Sequence, residues 1–402
     1  MEENKQIFSD DSNSPSNNHS AKSQKQKHSK FSREWKRKYL PLICSFAAAF
    51  VISVSLIFVF PTTQKIAPEQ EQQQQLEQSS DGWPTKVLAP FMDTTYWVPT
   101  TSSYSIGGVA DIGKIAKETD LRYFNLAFIN PSTTDAVADD GTINWCWGGY
   151  DTISKQNPSN GQYQGILAAI KNVRDLGGDI TISVGGQLGK APWVVSNSEQ
   201  KLYEMYKDII ETYSITRLDL DIEESNQGEY ENQINAKAIK RIQDETNVKI
   251  ILTIPIMPDG WKEKQLKVIN AYLDAGVDIT LINSMTMCYG YGVYDSEDYG
   301  DASIRAMESA NKQLIELYKQ RGITLSEAEA YKKMGATVSL GYESLLYPTF
   351  TPAMASKVAT HAKQKSYGML SFWSVGRDAK LQENKGVSQK HEFLDQMYQY
   401  LG

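Results

Sequence analysis

The sequence predicts an α/β protein, a (β/α)8 TIM barrel preceded by a disordered tail and a single N-terminal transmembrane helix. Three observations carry this. Strand-like and helix-like segments alternate from residue 83 onward. The strand-like segments number eight, and eight units over roughly 320 residues is the count and size of such a barrel. A long uncharged apolar run stands ahead of them. A doubly wound sheet is the competing arrangement. It usually opens on a glycine-rich phosphate turn, and none follows residue 91.

Residues 1–38 are rich in Ser, Asn and Lys with few large apolar side chains, so a disordered, basic cytoplasmic tail is expected. It ends in Arg33, Lys36, Arg37 and Lys38. Residues 39–60 then run without a charge, long enough to cross a bilayer, which takes about 20 residues. A cleaved secretory signal is the competing reading, but its apolar core is usually about 7–15 residues long and ends at a small-x-small site; V-F-P-T-T-Q-K offers none. The positive-inside rule then gives a single-pass protein of the cell membrane, with a cytoplasmic N-terminus and everything after residue 60 extracellular. Residues 61–82 are a Gln/Glu-rich tether, and 83–402 form the ordered domain.

In that domain strands are expected at 86–91, 122–129, 179–184, 215–222, 248–254, 279–287, 336–340 and 368–373. Amphipathic helices are expected at 165–176, 202–213, 234–245, 261–275, 303–321, 351–365 and 389–401, several stopped by glycine at 177, 276 and 322. With 41% hydrophobic and 10% aromatic residues the chain can build a large core, and its net charge of −7 argues against a nucleic-acid partner. The 3 cysteines give neither a disulfide framework nor metal-ligand spacing. Of the four histidines, His19 and His28 fall in the tail and His361 and His391 in predicted helices away from strand ends, so a Ser-His-Asp triad or a histidine zinc site is poorly supplied. The stretch S-V-G-G-Q-L-G-K-A at 183–191 fails the P-loop pattern at Val184 and Ala191.

Carboxylate chemistry remains, and it concentrates in I-T-R-L-D-L-D-I-E-E at 215–224. Alternate residues of a strand share a face. Asp219, Asp221 and Glu223 therefore point one way and Leu218, Leu220 and Ile222 the other. Same-face neighbours lie about 7 Å apart, so three acids there repel one another and at least one pKa should rise. Glu223, the last inward position of the fourth strand, would stand at the open mouth of the barrel, where a general acid belongs. A solvated edge strand and a hard-metal site for Mg²⁺ or Ca²⁺ remain open alternatives on these residues alone.

L-D-L-D-I-E at 218–223 resembles the D-x-x-D-x-D-x-E signature of glycoside hydrolase family 18, the retaining chitinases and related endo-β-N-acetylglucosaminidases. S-V-G-G at 183–186 is similar to the family's third-strand S-x-G-G, M-C-Y at 287–289 to its sixth-strand M-x-Y, and F-W-S-x-x-R-D at 372–378 to its eighth-strand end. T-I-P-I-M-P-D-G at 253–260 is similar to the fifth strand of the bacterial chitinase branch. The resemblance spans about residues 86–380. It implies hydrolysis of β-1,4 bonds in N-acetylglucosamine-containing glycans by substrate-assisted catalysis, the exception to the two-carboxylate scheme. Glu223 would be the acid, Asp221 would hold the acetamido N–H with Asp219 buffering its charge, and Tyr289 would grip the acetyl group. Trp373 would floor the sugar, with Ser183, Gly185, Gly186 and Met287 completing substrate binding. No cofactor and no metal is implied, and a monomer is expected, with a glycan and the membrane (through 39–60) as partners.

Two departures stand out. Thr216 and Arg217 occupy the places of the signature's first acid and its glycine, with Thr216 still able to hydrogen-bond an inner aspartate. Cys288 and Gly290 flank the tyrosine where many relatives carry an aspartate. A glycan-binding lectin of the same fold, or a metal-dependent hydrolase on the D-x-D-x-E acids, are the alternatives. Trp97, Trp145, Trp147, Trp193 and Trp261 follow strand ends and are candidate sugar subsites.

Overall fold

A computed structural model describes residues 78–402 except 291, 294–296, 344–346 and 383–384. The tail at 1–38, the apolar run at 39–60 and most of the tether lie outside the described residues. Among the described residues no helix is long and apolar enough to cross a membrane.

Twelve strands are present among the described residues. The first barrel position is split into β1 (Val87–Leu88) and β2 (Phe91–Asp93), with Pro90, which has no N–H to give a ladder, in the break. A small hairpin, β3 (Ser105–Ile106) and β4 (Val109–Ala110), follows. The second barrel position is β5 (Tyr123–Pro131), extended antiparallel by β6 (Trp145–Trp147). The remaining positions are β7 (Asp179–Gly185), β8 (Arg217–Asp221), β9 (Lys249–Pro255), β10 (Ile279–Met285), β11 (Met334–Ser339) and β12 (Met369–Trp373). Neighbours pair in parallel round the ring, and Trp373 of β12 pairs with Phe91 of β2 to close it. The result is an eight-stranded parallel barrel wrapped by helices.

The period-two pattern of β8 explains its place. Leu218, Leu220 and Ile222 are wholly buried in the main core, with Tyr206 and Ile209 of the preceding helix (Glu199–Tyr213) and Ile239 of the following one (Glu229–Thr246). The opposite face points into the barrel. At the base, a second small core of Trp83, Val87, Ala89, Ile251, Leu281 and Met369 fills the interior. The inward β8 residue at that level is Arg217, paired with Asp81 at 2.6 Å and stacked on the Trp83 ring at 4.3 Å. Residues 78–82 thus belong to the fold and not to a tether: Gln78 bridges Pro84, and Asp81 is buried.

The seven expected helices are present with shifted ends, the last shortened to Glu392–Met397 plus a 3-10 turn. A helix at Ile112–Thr119 was not expected. Asp111 caps it and Asp120 ends it in the left-handed region. Gly113 obscures its apolar spacing, yet that glycine is where Asn172 of the next helix packs: a Cβ there would stand 2.2 Å from the Asn172 Cβ.

Candidate active site

The parallel strands end together and their loops surround an open cleft of about 570 Å³, within the ~300–1,000 Å³ usual for ligand sites. β8 supplies its acids in ascending order. Asp219 is fully buried, accepting hydrogen bonds from Ser183 Oγ at 2.6 Å and Thr253 Oγ1 at 2.7 Å. Burial pushes its carboxyl up to about 7, against the pull of those two donors. Asp221, the last strand residue, is held well above the carboxylate range by burial and by the neighbouring charges of Glu223 and Asp219. These effects favour the protonated form of Asp221 beside Glu223. Its Oδ1 finds no partner among the described residues.

Glu223 stands one extended residue beyond the strand's end, on the cleft wall. Burial, then the charge of Glu224, push it up to about 7, while the hydrogen bond from Asp221 pulls it down. Such a carboxyl holds a proton near neutrality and can surrender it, which is what a general acid needs.

The aromatic side of the cleft is Trp373 at the end of β12, stacked on Phe128 with ring centroids 5.7 Å apart and 15° between planes, and flanked by Phe91 at 6.4 Å. Both Phe128 and Trp373 adjoin a cis peptide bond, Ala127–Phe128 and Trp373–Ser374. A third sector holds Glu343, clamped by Arg377 Nη1 at 2.5 Å and by the Ser339 hydroxyl, next to Met285, Met287 and Cys288. Among the described residues no group of three or more His, Cys, Asp or Glu is arranged to hold a metal ion.

Of the residues singled out in the sequence, Glu223, Asp221, Met287 and Trp373 meet at the cleft. Cys288 joins them, whereas Asp219, Ser183, Gly185, Gly186 and Tyr289 do not line it. Asp219 and Ser183 sit beneath, as a hydrogen-bonded pair inside the barrel. Gly185 and Gly186 shape the loop behind the acids: a Cβ on Gly185 would meet the Asp221 carbonyl at 2.3 Å, and one on Gly186 the Phe128 ring at 2.9 Å. Their φ values of +115° and +93° also favour glycine. Tyr289 is turned away into the main core, its ring 6.0 Å from Tyr299. The residue before it is unusual as well. Cys288 takes a left-handed conformation, φ 54°, with its N–H bonded to Tyr299 Oη at 2.6 Å.

Thr216 does not reach an inner aspartate. Strand alternation puts it on the outward face, where its buried hydroxyl has no partner among the described residues. Trp145, Trp147, Trp193 and Trp261 are core residues, and Trp97 alone of those five tryptophans is exposed. Sequence reasoning missed Asp93, Phe128, Asn130, Thr253, Thr337 and Glu343 on the cleft wall. Asp93, Thr253 and Thr337 were findable, since each is an inward position near the end of its strand.

No family model matches the chain. It is 28% identical over 311 residues to the "Probable bifunctional chitinase/lysozyme" of Escherichia coli K12, covering 74% of this chain and 31% of that protein. It is equally identical to "Endochitinase 11" of Metarhizium anisopliae, over 74% of this chain and 53% of that one. The chain thus spans about a third to a half of the length of the curated relatives it matches. Among solved structures, the catalytic domain of a hyperthermophilic chitinase from Pyrococcus furiosus superposes with a TM-score of 0.64 at 24% identity, over 79% of this chain and 95% of that one. A family GH18 chitinase from Chromobacterium violaceum gives 0.51 at 16% identity, over 78% and 84%. The chain is thus similar in sequence to two proteins named chitinases, and its barrel is the fold of these solved chitinase structures.

Proposed function

We propose that this domain is a retaining glycosidase that cleaves β-1,4 bonds in N-acetylglucosamine-containing glycans of the chitin type, using the substrate's own acetamido group as nucleophile. One observation carries this: Glu223, its carboxyl raised to about 7 by burial, stands on the cleft wall two residues past Asp221, a buried acid whose protonated form is favoured. A two-carboxylate retaining enzyme places its second acid across the sugar, about 5–5.5 Å from the first. Here the partner acid is the strand's last residue, two positions earlier in the chain and 4% exposed, so it cannot attack the opposite face. Glu343 is clamped by Arg377, and Asp93 accepts from Thr95 N and Oγ1. The nucleophile is therefore best supplied by the sugar.

With a sugar stacked on Trp373, Glu223 gives its proton to the departing glycosidic oxygen as that C–O bond breaks. The acetamido oxygen closes on the anomeric carbon to form an oxazolinium ion. Asp221, its Oδ1 unoccupied, accepts the acetamido N–H and keeps its own proton, so Glu223 remains the carboxylate that takes a proton from water in the second step. Water deprotonated at Glu223 then opens the ring with retention. The names of the relatives support this substrate class. A first test compares wild type with Glu223→Gln on chromogenic chito-oligosaccharides, with and without EDTA. No turnover by wild type sinks the hydrolase reading, and inhibition by EDTA favours a metal site on the acids. Undiminished binding by a wild type that does not cleave identifies a lectin.

We also propose that residues 39–60 anchor this domain outside the cell membrane. The 22-residue uncharged run behind a basic cluster supports it. Release of a soluble fragment beginning at residue 61 or later, on fractionation, would contradict it.

A further inference from the structure

Asp219 accepts from Thr253, and that hydrogen bond is the end of a longer chain. Thr337 Oγ1 donates to Asn283 Oδ1 at 2.9 Å, Asn283 Nδ2 donates to Thr253 Oγ1 at 2.9 Å, and Thr253 Oγ1 donates to Asp219 Oδ1 at 2.7 Å. The chain crosses four consecutive strands, β11, β10, β9 and β8, and each member is at most 2% exposed. A threonine hydroxyl has one proton and cannot choose its direction from within such a chain. The carboxamide can, because its two ends differ: with Nδ2 donating into the Thr253 oxygen, the hydroxyl proton is left to point at Asp219. Room for the amide is made by Gly335 beside it, where a Cβ would come within 3.0 Å of Asn283 Oδ1.

We infer that Asn283, two strands from the acids and absent from the cleft lining, is a positioning residue that fixes Asp219 as a hydrogen-bond acceptor. The consequence is a division of one proton among three stacked acids. With Oδ1 fed by Thr253 and Oδ2 by Ser183, a proton on Asp219 would displace a donated hydrogen bond, so the proton stays higher up, between Asp221 and Glu223. This rests on the reading of that pair as the proton-holding centre. On β8 the charged groups are Asp221 and Glu223 above Asp219, with Glu224 beside Glu223, and, below it, Arg217 paired with Asp81; on other parts of the cleft wall stand Asp93 and Glu343, the latter clamped by Arg377. Asp179 at the start of β7 is paired with Arg174, and Lys249 begins β9. At the level of Asp219 itself the flanking strands present only the neutral Ser183 and Thr253. The direction of the hydroxyl is then the remaining control.

The test titrates the full chain labelled with ¹³C at aspartate carboxyls, following the signal that Asp219→Asn removes. In Asn283→Leu and Thr253→Val the Asp219 midpoint is expected to rise by about one pH unit, as befits loss of a hydrogen bond to a charged group. Thr253→Ser, which keeps the hydroxyl, is expected to leave it unchanged. Thr337→Val, at the far end, gives a smaller rise and serves if Asn283→Leu does not fold. A midpoint that moves in Thr253→Val but in neither Asn283→Leu nor Thr337→Val overturns the relay, leaving Thr253 acting alone. The titration needs no turnover, so a wild type that cleaves no chito-oligosaccharide sinks the hydrolase reading without touching this one. In an active enzyme the same variants should move the acid limb of the kcat profile at unchanged KM.

Discussion

The two ends of β8 carry the same kind of problem and solve it differently. At the base, Arg217 is a buried charge matched by an opposite one. Burial pushes Asp81 upward, but the hydrogen bond and the charge of Arg217 outweigh it and hold its carboxyl below the usual range, and the Trp83 face covers the guanidinium. At the top, Asp219, Asp221 and Glu223 have no cation among their partners, and burial, joined at Asp221 and Glu223 by neighbouring like charges, pushes all three upward. One strand thus holds a neutralised pair where the barrel must be closed and an unrelieved stack where a proton must be held loosely. Compensated burial serves the fold, and uncompensated burial serves chemistry.

The comparison can be broken most forcefully at the top. Glu223→Gln is expected to lower kcat by about 10²–10⁴-fold with an unchanged near-UV CD spectrum, and retention of kcat would remove the distinction. At the base the reverse is expected. Asp81→Ala, by stranding the Arg217 charge, should cost about 3–5 kcal/mol in denaturant unfolding with little change in kcat at low temperature. Replacing both, Arg217→Met with Asp81→Leu, should recover most of that loss, and failure to recover would mean the pair is not mainly a matched charge.

Protonation sharpens the contrast. Glu223 rises from its ordinary 4.5 to about 7, so its contribution to stability is complete below 4.5 and is lost as pH climbs through about 7. The Tm advantage of Glu223→Gln over wild type should therefore widen from pH 4.5 to pH 8, and kcat should fall on the alkaline side with a midpoint near 7. A constant Tm gap across that window would show that Glu223 is not perturbed. The smallest effect is expected on the aromatic side, where Trp373→Ala should raise KM about tenfold and leave the pH profile in place.

Much of this was legible in the residues. The alternation of Asp219, Asp221 and Glu223 with Leu218, Leu220 and Ile222 contained the strand, its buried face and its order of acids, because parity is a local property of extended backbone. What escaped depends on contacts distant in sequence or on single dihedrals. The partner of Arg217 lies 136 residues away in a stretch that reads as a polar tether. Tyr289 lies in the core after one left-handed residue, Cys288, whose conformation no side-chain pattern announces. Trp145, Trp147, Trp193 and Trp261 went to the core, since a large apolar ring at a strand end packs inward as readily as it faces a ligand. Asn283 stood on an expected strand, but a lone amide there says nothing of the hydroxyls at its two ends.

The docking of residues 78–84 under the barrel also decides how the domain is held. Because Asp81 meets the first residue of β8 while the cleft opens past its last one, the polypeptide enters at the end opposite the working face. A handle fused directly ahead of residue 78 would therefore start from the end of the barrel opposite the cleft. Immobilisation through that end should preserve access to long glycans, whereas a surface attached near Trp373 or Glu343 should exclude them.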